Sequence, residues 1–311
     1  EFELVVEVQP ELTLNRLGGF SLNRTVPPVT DDMVTEQIGR LREQRSSWLP
    51  VEGALPAPGQ MVRVEVAPIE DGAVQEAQPY DLVLGDGQAI PALEERIMTL
   101  LPGQTVDTEV RFPDDHADES RRGKSRSVRL TLHEVKRQEL PTLDDAFARE
   151  AGDFETVAAL ETAVRTDLTA QAMREADAGV REQLVQQLVE ANNVAAPPSL
   201  VDRMLHSLLH AYGVPHEKAE QFHAEFRPIA EAQVKRELLL GSVAEREKLH
   251  ATEADLDARI ARMAEQRKVT PAQIYTSLEQ AKRLPELTRS ITEEKVFGHL
   301  LPQSTVTEAT S

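Results

Sequence analysis

The chain has 311 residues, which is enough for two or three folded domains. Its 34 Lys and Arg against 53 Asp and Glu give a net charge of -19, which disfavours nucleic-acid backbones and anionic membranes as main partners because both would repel it. The sequence has no cysteine, so disulfides and thiolate chemistry are excluded. No apolar run is long enough to span a bilayer.

The first fifty residues predict one strand and one helix. Apolar residues alternate at positions 2, 4, 6 and 8, which is the pattern of a strand with one buried face. Thr30 precedes two aspartates and an apolar pattern at helical spacing, so a helix is predicted from there to about Trp48. The first residues do not resemble a signal peptide and lack an initiator methionine, which we interpret as a mature fragment whose true start lies upstream.

Residues 51–138 have a different character, because they hold seven of the nineteen prolines and seven of the fifteen glycines. Apolar residues alternate with polar ones around 62–66, 106–112 and 128–132, which predicts three strands. A short helix is predicted to begin after Pro91 and to end before residue 102. The segment is therefore predicted to form a small antiparallel sheet around a short helix.

From residue 140 onward the apolar pattern is helical. Asp153 is predicted to cap a long helix that runs to about Glu190. Residues 303–311 are predicted to be disordered. Long helices with wide apolar faces, in a chain with 4% aromatic residues, indicate extended helical arms whose unburied faces line a binding cavity. Further helix starts are predicted at Pro197, at about residue 217, and at Thr252, Thr270 and Pro285.

Three short groups have a spacing that could carry chemistry, and each has a simpler interpretation. His206 and His210 lie four apart, but no companion Glu or third ligand accompanies them, so a surface His pair is favoured over a metal site. The sequence DDH at 114–116 follows a predicted strand and is interpreted as a solvated turn. Gly85 and Gly87 do not form a phosphate loop, because no Lys-Ser/Thr pair and no helix start follow them. No metal, nucleotide or other cofactor is therefore predicted.

Several motifs carry a family resemblance. Residues 79–97, PYDLVLGDGQAIPALEERI, resemble the FKBP signature, in which a strand, a glycine turn and a short helix form a proline pocket. The motifs LPGQ at 101–104 and FPDDHA at 112–117 resemble the turn and the strand end that follow in that family. Residues 132–147 resemble the join between the FKBP-like and helical domains of the bacterial trigger factor family, and VAAPPSLV at 194–201 resembles one of its helix starts.

The resemblance to trigger factor implies an α+β fold in four segments. Residues 1–14 are predicted to be the last strand of a truncated N-terminal ribosome-binding domain, and 15–50 a connector that packs on the helical body. Residues 51–138 are predicted to form an FKBP-like isomerase domain, and 139–311 an extended helical chaperone domain with arms. The family's docking loop, Gly-Phe-Arg-x-Gly-Lys-x-Pro, is absent from the sequence, so ribosome contact is predicted only through the missing domain.

The resemblance further implies a cytoplasmic chaperone that holds unfolded and nascent polypeptides without ATP. Neither nucleic acid nor a membrane is predicted as a direct partner. Three other functions stay open from the sequence: primarily a peptidyl-prolyl isomerase, a scaffold that assembles specific partners, and a periplasmic chaperone. Pocket aromatics would favour the first, a fixed hot-spot patch the second, and an upstream signal peptide the third.

The predicted isomerase pocket departs from its family. A proline pocket of this kind favours the twisted amide in a dry aromatic cup, against a barrier of ~18–20 kcal/mol. Tyr80 and Phe112 are the only aromatic residues within 51–138, and the resemblance places Leu93 where the family has an aromatic residue. The remnant pocket is therefore Tyr80, Ile90 and Leu93, and weak or absent isomerase activity is expected. A core role for these three residues is an equal alternative.

The last helical stretch carries more apolar residues than a helix pair at a chain end can bury alone. Tyr275, Leu278 and Leu287 flank the break at Pro285, and they are predicted to line the client cavity. A core role for these residues has equal weight. The residues predicted to pack on the helical body are Val296, Phe297 and Leu300.

Overall fold

The computed structural model describes residues 12–114 and 121–309. The strand predicted at residues 1–9, and positions 115 and 116 of the DDH motif, lie outside that range. The described strands are β1 (Ser21–Thr25), β2 (Ser47–Pro50), β3 (Met61–Glu70), β4 (Ala73–Val74), β5 (Gln78–Val83), β6 (Thr105–Arg111), β7 (Ser125–Glu139) and β8 (Thr305–Ala309). The described α-helices are α1 (Asp31–Gln44), α2 (Pro91–Ile97), α3 (Asp145–Gly152), α4 (Val157–Ala191), α5 (Pro198–Ala211), α6 (Ala219–Glu247), α7 (Glu253–Arg267), α8 (Pro271–Gln280) and α9 (Leu284–Leu300).

The chain separates into two compact units, which we call the sheet unit and the helical unit. The sheet unit is Val29–Leu168, and the helical unit comprises the residues up to Pro28 and those from Thr169 onward. The fold is α+β, as the sequence predicted. The division into two units does not test the boundaries of the four predicted segments, which stay predictions.

The sheet unit is built around the long strand β7. Antiparallel pairing joins β7 to β2, β3 and β6, and joins β3 to β4 and β5. Alternate side chains face the core over the predicted stretches 62–66 of β3 and 130–132 of β7, a β-bulge then shifts the register so that Val135 is the next buried residue of β7, and α2 closes the core with Ile97. The core residues are Val62, Val64, Leu82, Leu84, Ile97, Leu100, Leu130, Leu132 and Val135.

A second, smaller core in the sheet unit is helical. It joins α1 to α3 and to the first turns of α4 through Val34, Ile38, Phe147, Ala148, Leu160 and Val164. Thr30 caps α1, because its hydroxyl accepts a hydrogen bond from the Met33 amide. The helix ends at Gln44, earlier than predicted, since Ser47–Pro50 pairs with β7 as β2.

The start predicted for the long helix was wrong. Asp153 does not cap α4; it ends α3 in the left-handed conformation with φ 59°. The backbone therefore turns once more before α4 begins at Val157, and the Thr156 hydroxyl accepts from the Ala159 amide at 3.2 Å. The helix then runs for 35 residues, or ~52 Å at ~1.5 Å per residue.

Among its described residues, the helical unit has three apolar cores, and Leu12 packs against the first two of them. The largest joins α4, α6, α9 and β1, and it buries Val296, Phe297 and Leu300 as predicted. The second joins α5 to α6 through Val201, Leu205, Ala230, Val234 and Leu238. The third is small, with Ile260 and Ala264 of α7 against Ile274 of α8.

Helix ends in the helical unit follow the sequence signals closely. The capping box predicted at Thr252 is present, and Thr270 caps α8 as predicted, in a capping box with Gln273. Lysines with left-handed backbones terminate α6 and α7, at Lys248 with φ 57° and Lys268 with φ 55°. In each case the lysine amide donates to carbonyls of the preceding turn, which satisfies part of the helix end.

The disorder predicted for residues 303–311 was wrong for the part that the structure describes. Thr305–Ala309 forms β8, which pairs in parallel with β1, so that Leu22 lies opposite Val306 and Arg24 opposite Glu308. The polar composition of this segment indicated disorder. The pairing is possible because β1, far away in sequence, is anchored in the main helical core through Phe20 and Leu22.

Candidate client-binding surfaces

The remnant proline pocket lies at the start of α2 and on β5. Tyr80 stands on β5 opposite Val64 and is 51% exposed. Ile90 precedes α2 and is half-buried, and Leu93 packs from its first turn against the sheet core. The structure thus gives Leu93 a core contact and leaves the Tyr80 ring largely in solvent. The assignment of these three residues to a proline pocket stays a prediction.

The glycine turn before α2 is held by Glu94. Gly85 and Gly87 have positive φ angles of 90° and 68°, a conformation that glycine adopts without strain. The Gly85 amide donates to Oε2 of Glu94 at 3.1 Å, whereas Oε1 of the same carboxylate is buried without a partner among the described residues. The turn is therefore tied to the first turns of α2 by a contact within the protein.

Phe112, the other aromatic residue of the predicted isomerase segment, lies at the end of β6. The Arg121 guanidinium covers its ring at 5.8 Å from the centroid. Asp114 accepts a hydrogen bond from Arg111 at 3.1 Å, so this carboxylate is engaged in an exposed ion pair. Its neighbours Asp115 and His116 lie outside the described residues.

The three residues predicted to bind clients have unequal surroundings. Tyr275 on α8 is 41% exposed. Leu278 and Leu287 are half-buried, and both pack against the small core formed by α7 and α8. Of the three residues, Tyr275 therefore offers the largest exposed fraction to a partner. The prediction that these residues bind clients stays open for all three.

An aromatic cluster on the α5–α6 pair was not predicted. Tyr212, just after α5, lies 6.0 Å from Phe222 and 5.7 Å from Phe226 between ring centroids. Phe222 and Phe226 stack at 4.1 Å with planes 15° apart. Tyr212 is 66% exposed, and Ile229, which extends the same α6 stripe, is 57% exposed. We call Tyr212, Phe222, Phe226 and Ile229 the aromatic patch.

The sequence indicates the apolar residues of this patch within each helix, but not that they form one surface. Phe222, Phe226 and Ile229 lie at helical spacing, and Tyr212 continues the helical spacing of the apolar residues Leu205 and Leu208 in α5. The spacing within each helix does not show that α5 and α6 contact each other. That contact is set by the core that the two helices share. Exposed aromatic side chains supply large contact areas, so the patch is the strongest apolar candidate surface among the described residues.

His206 and His210 are exposed on α5, near the aromatic patch in sequence. In the described part of the chain, no group of three or more His, Cys, Asp or Glu side chains could hold a metal ion. Nor does any described helix combine the length and apolarity needed to cross a membrane.

The charged groups with shifted pKa values lie in ion pairs rather than at the apolar surfaces. The ammonium group of Lys295, at 2.8 Å, together with the amide and hydroxyl of Thr252, holds the pKa of Asp255 far below its usual range. Arg63 likewise lowers the pKa of Asp81, and Arg129 that of Asp107, through paired hydrogen bonds across strands. These pairs organise helix ends and strand faces, and none lies within a group suited to acid–base catalysis.

Comparisons with known proteins agree over almost the whole chain. The model of the family described as "Bacterial trigger factor protein (TF) C-terminus" matches residues 156–302. The trigger factor of Citrifermentans bemidjiense is 30% identical over 331 residues, which cover 99% of this chain and 75% of the relative. The trigger factor of Geobacter sulfurreducens is 28% identical, with the same coverage.

A solved structure described as "Promiscuous Substrate Recognition in Folding and Assembly Activities of the Trigger Factor Chaperone" was also matched. The match has a TM-score of 0.46 and 20% sequence identity, and it covers 94% of this chain and 73% of the solved chain.

Proposed function

The chain belongs to the trigger factor family of chaperones, and from this premise we propose that it holds unfolded and nascent polypeptides on its helical unit without ATP. Members of the family bind unfolded polypeptides. The observation that carries the proposal for this chain is the aromatic patch, because it exposes apolar side chains that a folded protein would otherwise bury.

The patch suits a partner without fixed structure. Phe222 is buried and stacks on Phe226, so these two rings form a rigid floor, whereas Tyr212 and Ile229 project from it. Each exposed side chain contributes at most ~1.5–3 kcal/mol on full burial. A few such contacts give weak binding and fast release, which an ATP-independent chaperone requires.

The experiment measures how well the protein suppresses aggregation of an unfolded client that contains no proline. Replacing Tyr212 and Ile229 by Ser should raise the chaperone concentration needed for half-protection by roughly three- to tenfold, since two apolar contacts are lost. A matched double variant, Met173→Ser with Val269→Ser, removes similarly exposed side chains elsewhere in the helical unit. Equal protection by both variants would contradict the assignment of client binding to the patch.

We further propose that the sheet unit has weak or absent prolyl isomerase activity. Tyr80 is largely exposed and Leu93 packs on the sheet core, so the described residues do not form an enclosed aromatic cup around the remnant pocket. In a proline-limited refolding assay, where uncatalysed isomerisation takes ~10–100 s, the protein should accelerate refolding little, and Leu93→Phe should raise the rate. Acceleration equal to that of an intact FKBP would instead favour the alternative function, a prolyl isomerase.

The remaining parts of the family interpretation stay proposals. We propose a cytoplasmic location and the four-segment organisation set out from the sequence. The docking loop of the family is absent from this sequence, so we expect that the chain does not cosediment with ribosomes at physiological salt; stoichiometric cosedimentation would contradict this expectation.

A further inference from the structure

The two outer edges of the β1–β8 pair differ in whether their backbone amides and carbonyls have hydrogen-bond partners. On the β1 side, α4 presents two glutamines to the strand backbone. Gln183 accepts from the Asn23 amide at 2.9 Å and donates to the Asn23 carbonyl at 2.8 Å, and Gln187 donates to the Ser21 carbonyl at 3.0 Å. These amide side chains replace a neighbouring strand, so the outer edge of β1 is closed.

The outer edge of β8 has no such cover among the described residues. The Thr305 amide donates to the Phe20 carbonyl at 2.8 Å, and this bond determines which residues of β8 direct their backbone groups toward β1. Parallel strands bond through alternate residues, so Thr305, Thr307 and Ala309 direct their backbone groups toward β1. Val306 and Glu308 therefore direct theirs outward, and every residue of β8 is exposed.

The side chains of β8 do not protect this edge. Natural edge strands are commonly guarded by proline, lysine or an inward-pointing charge. β8 contains no proline and no lysine, and its one charged side chain, Glu308, is drawn back onto Arg24 of β1 at 3.2 Å. Arg24 is itself held by Asp177 of α4 at 2.7 Å, so the carboxylate stays on the β1 side.

We propose that the outer edge of β8 binds an extended segment of an unfolded client as an additional strand. An unfolded polypeptide carries unpaired amide and carbonyl groups, which are the partners that Val306 and Glu308 lack. Backbone pairing is largely independent of client sequence, which suits a chaperone. A second copy of this chain is the poorer occupant, since two molecules of charge -19 repel each other. The inference rests on the proposed holding function and adds a polar contact to it.

The test uses a fluorescent peptide of alternating threonine and valine with a lysine at each end. Val306→Pro removes one outward amide, while the ladder to β1 uses the amides of Thr305 and Thr307. This variant should bind the peptide roughly five- to tenfold more weakly than wild type. Val306→Ala keeps the amide and should stay within about twofold of wild type. An equal loss in both variants would overturn the proposal, because the side chain would then be the contact.

A second comparison does not depend on the folding of any variant. The same peptide with N-methyl groups on successive central residues keeps its side chains and charge but loses donors on both edges. It should fail to compete for wild-type protein, and equal competition would overturn the proposal. As a structural reference, Thr307→Pro removes an amide that faces β1, and it should detach β8, seen as fast exchange of the Leu22 and Arg24 amides, which face β8.

Aggregation suppression separates this inference from the proposed function. If the wild-type protein protects clients but the peptide assays give no effect of backbone donors, only the strand-addition inference fails. If the wild-type protein protects no client, the holding function fails, whatever the peptide does. Self-association of the wild-type protein that Val306→Pro abolishes would assign the edge to a second copy and overturn the client as occupant.

Discussion

The sheet unit and the helical unit bury their apolar residues in different ways. In the sheet unit, the main core lies between α2 and the sheet built around β7, a smaller core joins α1, α3 and the start of α4, and charges on the strand faces pair across neighbours, as Arg63 does with Asp81. In the helical unit, three smaller cores lie along the helices, and large apolar side chains such as Tyr212 and Ile229 remain exposed. A core covered by one hydrogen-bonded sheet favours cooperative unfolding, whereas small cores spread along helices allow local opening. We therefore expect the helical unit, which also exposes these side chains, to open locally more easily than the sheet core.

The largest effect is expected from the main helical core. Leu184→Ala removes a side chain with no solvent exposure and should lower the free energy of unfolding by ~2–5 kcal/mol. Urea unfolding followed by circular dichroism would report this loss. Trp48, the only tryptophan, lies in β2, so its fluorescence follows the sheet unit and should keep its midpoint.

The matched control for that prediction is Leu130→Ala, in the sheet core. It should shift the Trp48 transition and leave most of the helical signal in place. If Leu184→Ala moved both signals together, the two units would unfold as one, and the contrast between them would not describe their stability.

A smaller effect is expected from the core between α7 and α8. Leu278 and Leu287 pack against it, so replacing both by Ser should lower the free energy of unfolding by about 1–3 kcal/mol. Tyr275→Ser should leave the melting temperature nearly unchanged, because the ring is 41% exposed, and should reduce client protection. Thermal melts and aggregation assays on both variants would show which of the three predicted residues stabilise the fold and which contact clients. If the double leucine variant is stable but protects clients poorly from aggregation, all three residues contact clients, as the sequence predicted.

The smallest effect concerns the cap of α7. The pKa of Asp255 is lower in the folded protein than its ordinary value of 3.8, so the ionised carboxylate stabilises the folded state above that pH. This contribution should fade as the pH falls below about 4, through the folded pKa. Asp255→Asn should therefore melt earlier than wild type at pH 7, and the difference should shrink toward pH 3. A difference that stayed constant with pH would assign the effect to the capping hydrogen bonds instead of the charge.

The sequence predicted local structure better than contacts between distant segments. Thr252 and Thr270 were identified as helix caps because the residues that complete each box lie within one helical turn. The error at Asp153 has the same local origin: an aspartate before a helical pattern indicates a cap, and the extra left-handed turn that ends α3 has no comparable signal. Strand β8 was missed because its partner β1 is almost three hundred residues away in the sequence.

The candidate surfaces show the same limit. Tyr275, Leu278 and Leu287 look alike as apolar residues near a helix break, yet two of them are half-buried by α7, whose position no spacing rule gives. The aromatic patch was missed for the opposite reason, since residues from two helices become one surface only after α5 and α6 pack. Burial of a helix face depends on its neighbour, which periodicity alone does not identify.

The lysines that terminate α6 and α7 make these helix ends sensitive to ionic strength. A left-handed backbone costs a lysine ~1–2 kcal/mol, a strain that glycine would avoid. The attraction between the lysine charge and the helix C-terminus offsets ~0.3–1 kcal/mol of this strain, and salt screens that attraction. In a chain of charge -19, each cation is also drawn to the surrounding carboxylates. Rising salt therefore removes the compensation and leaves the strain, so the turns after Lys248 and Lys268 loosen first in concentrated electrolyte.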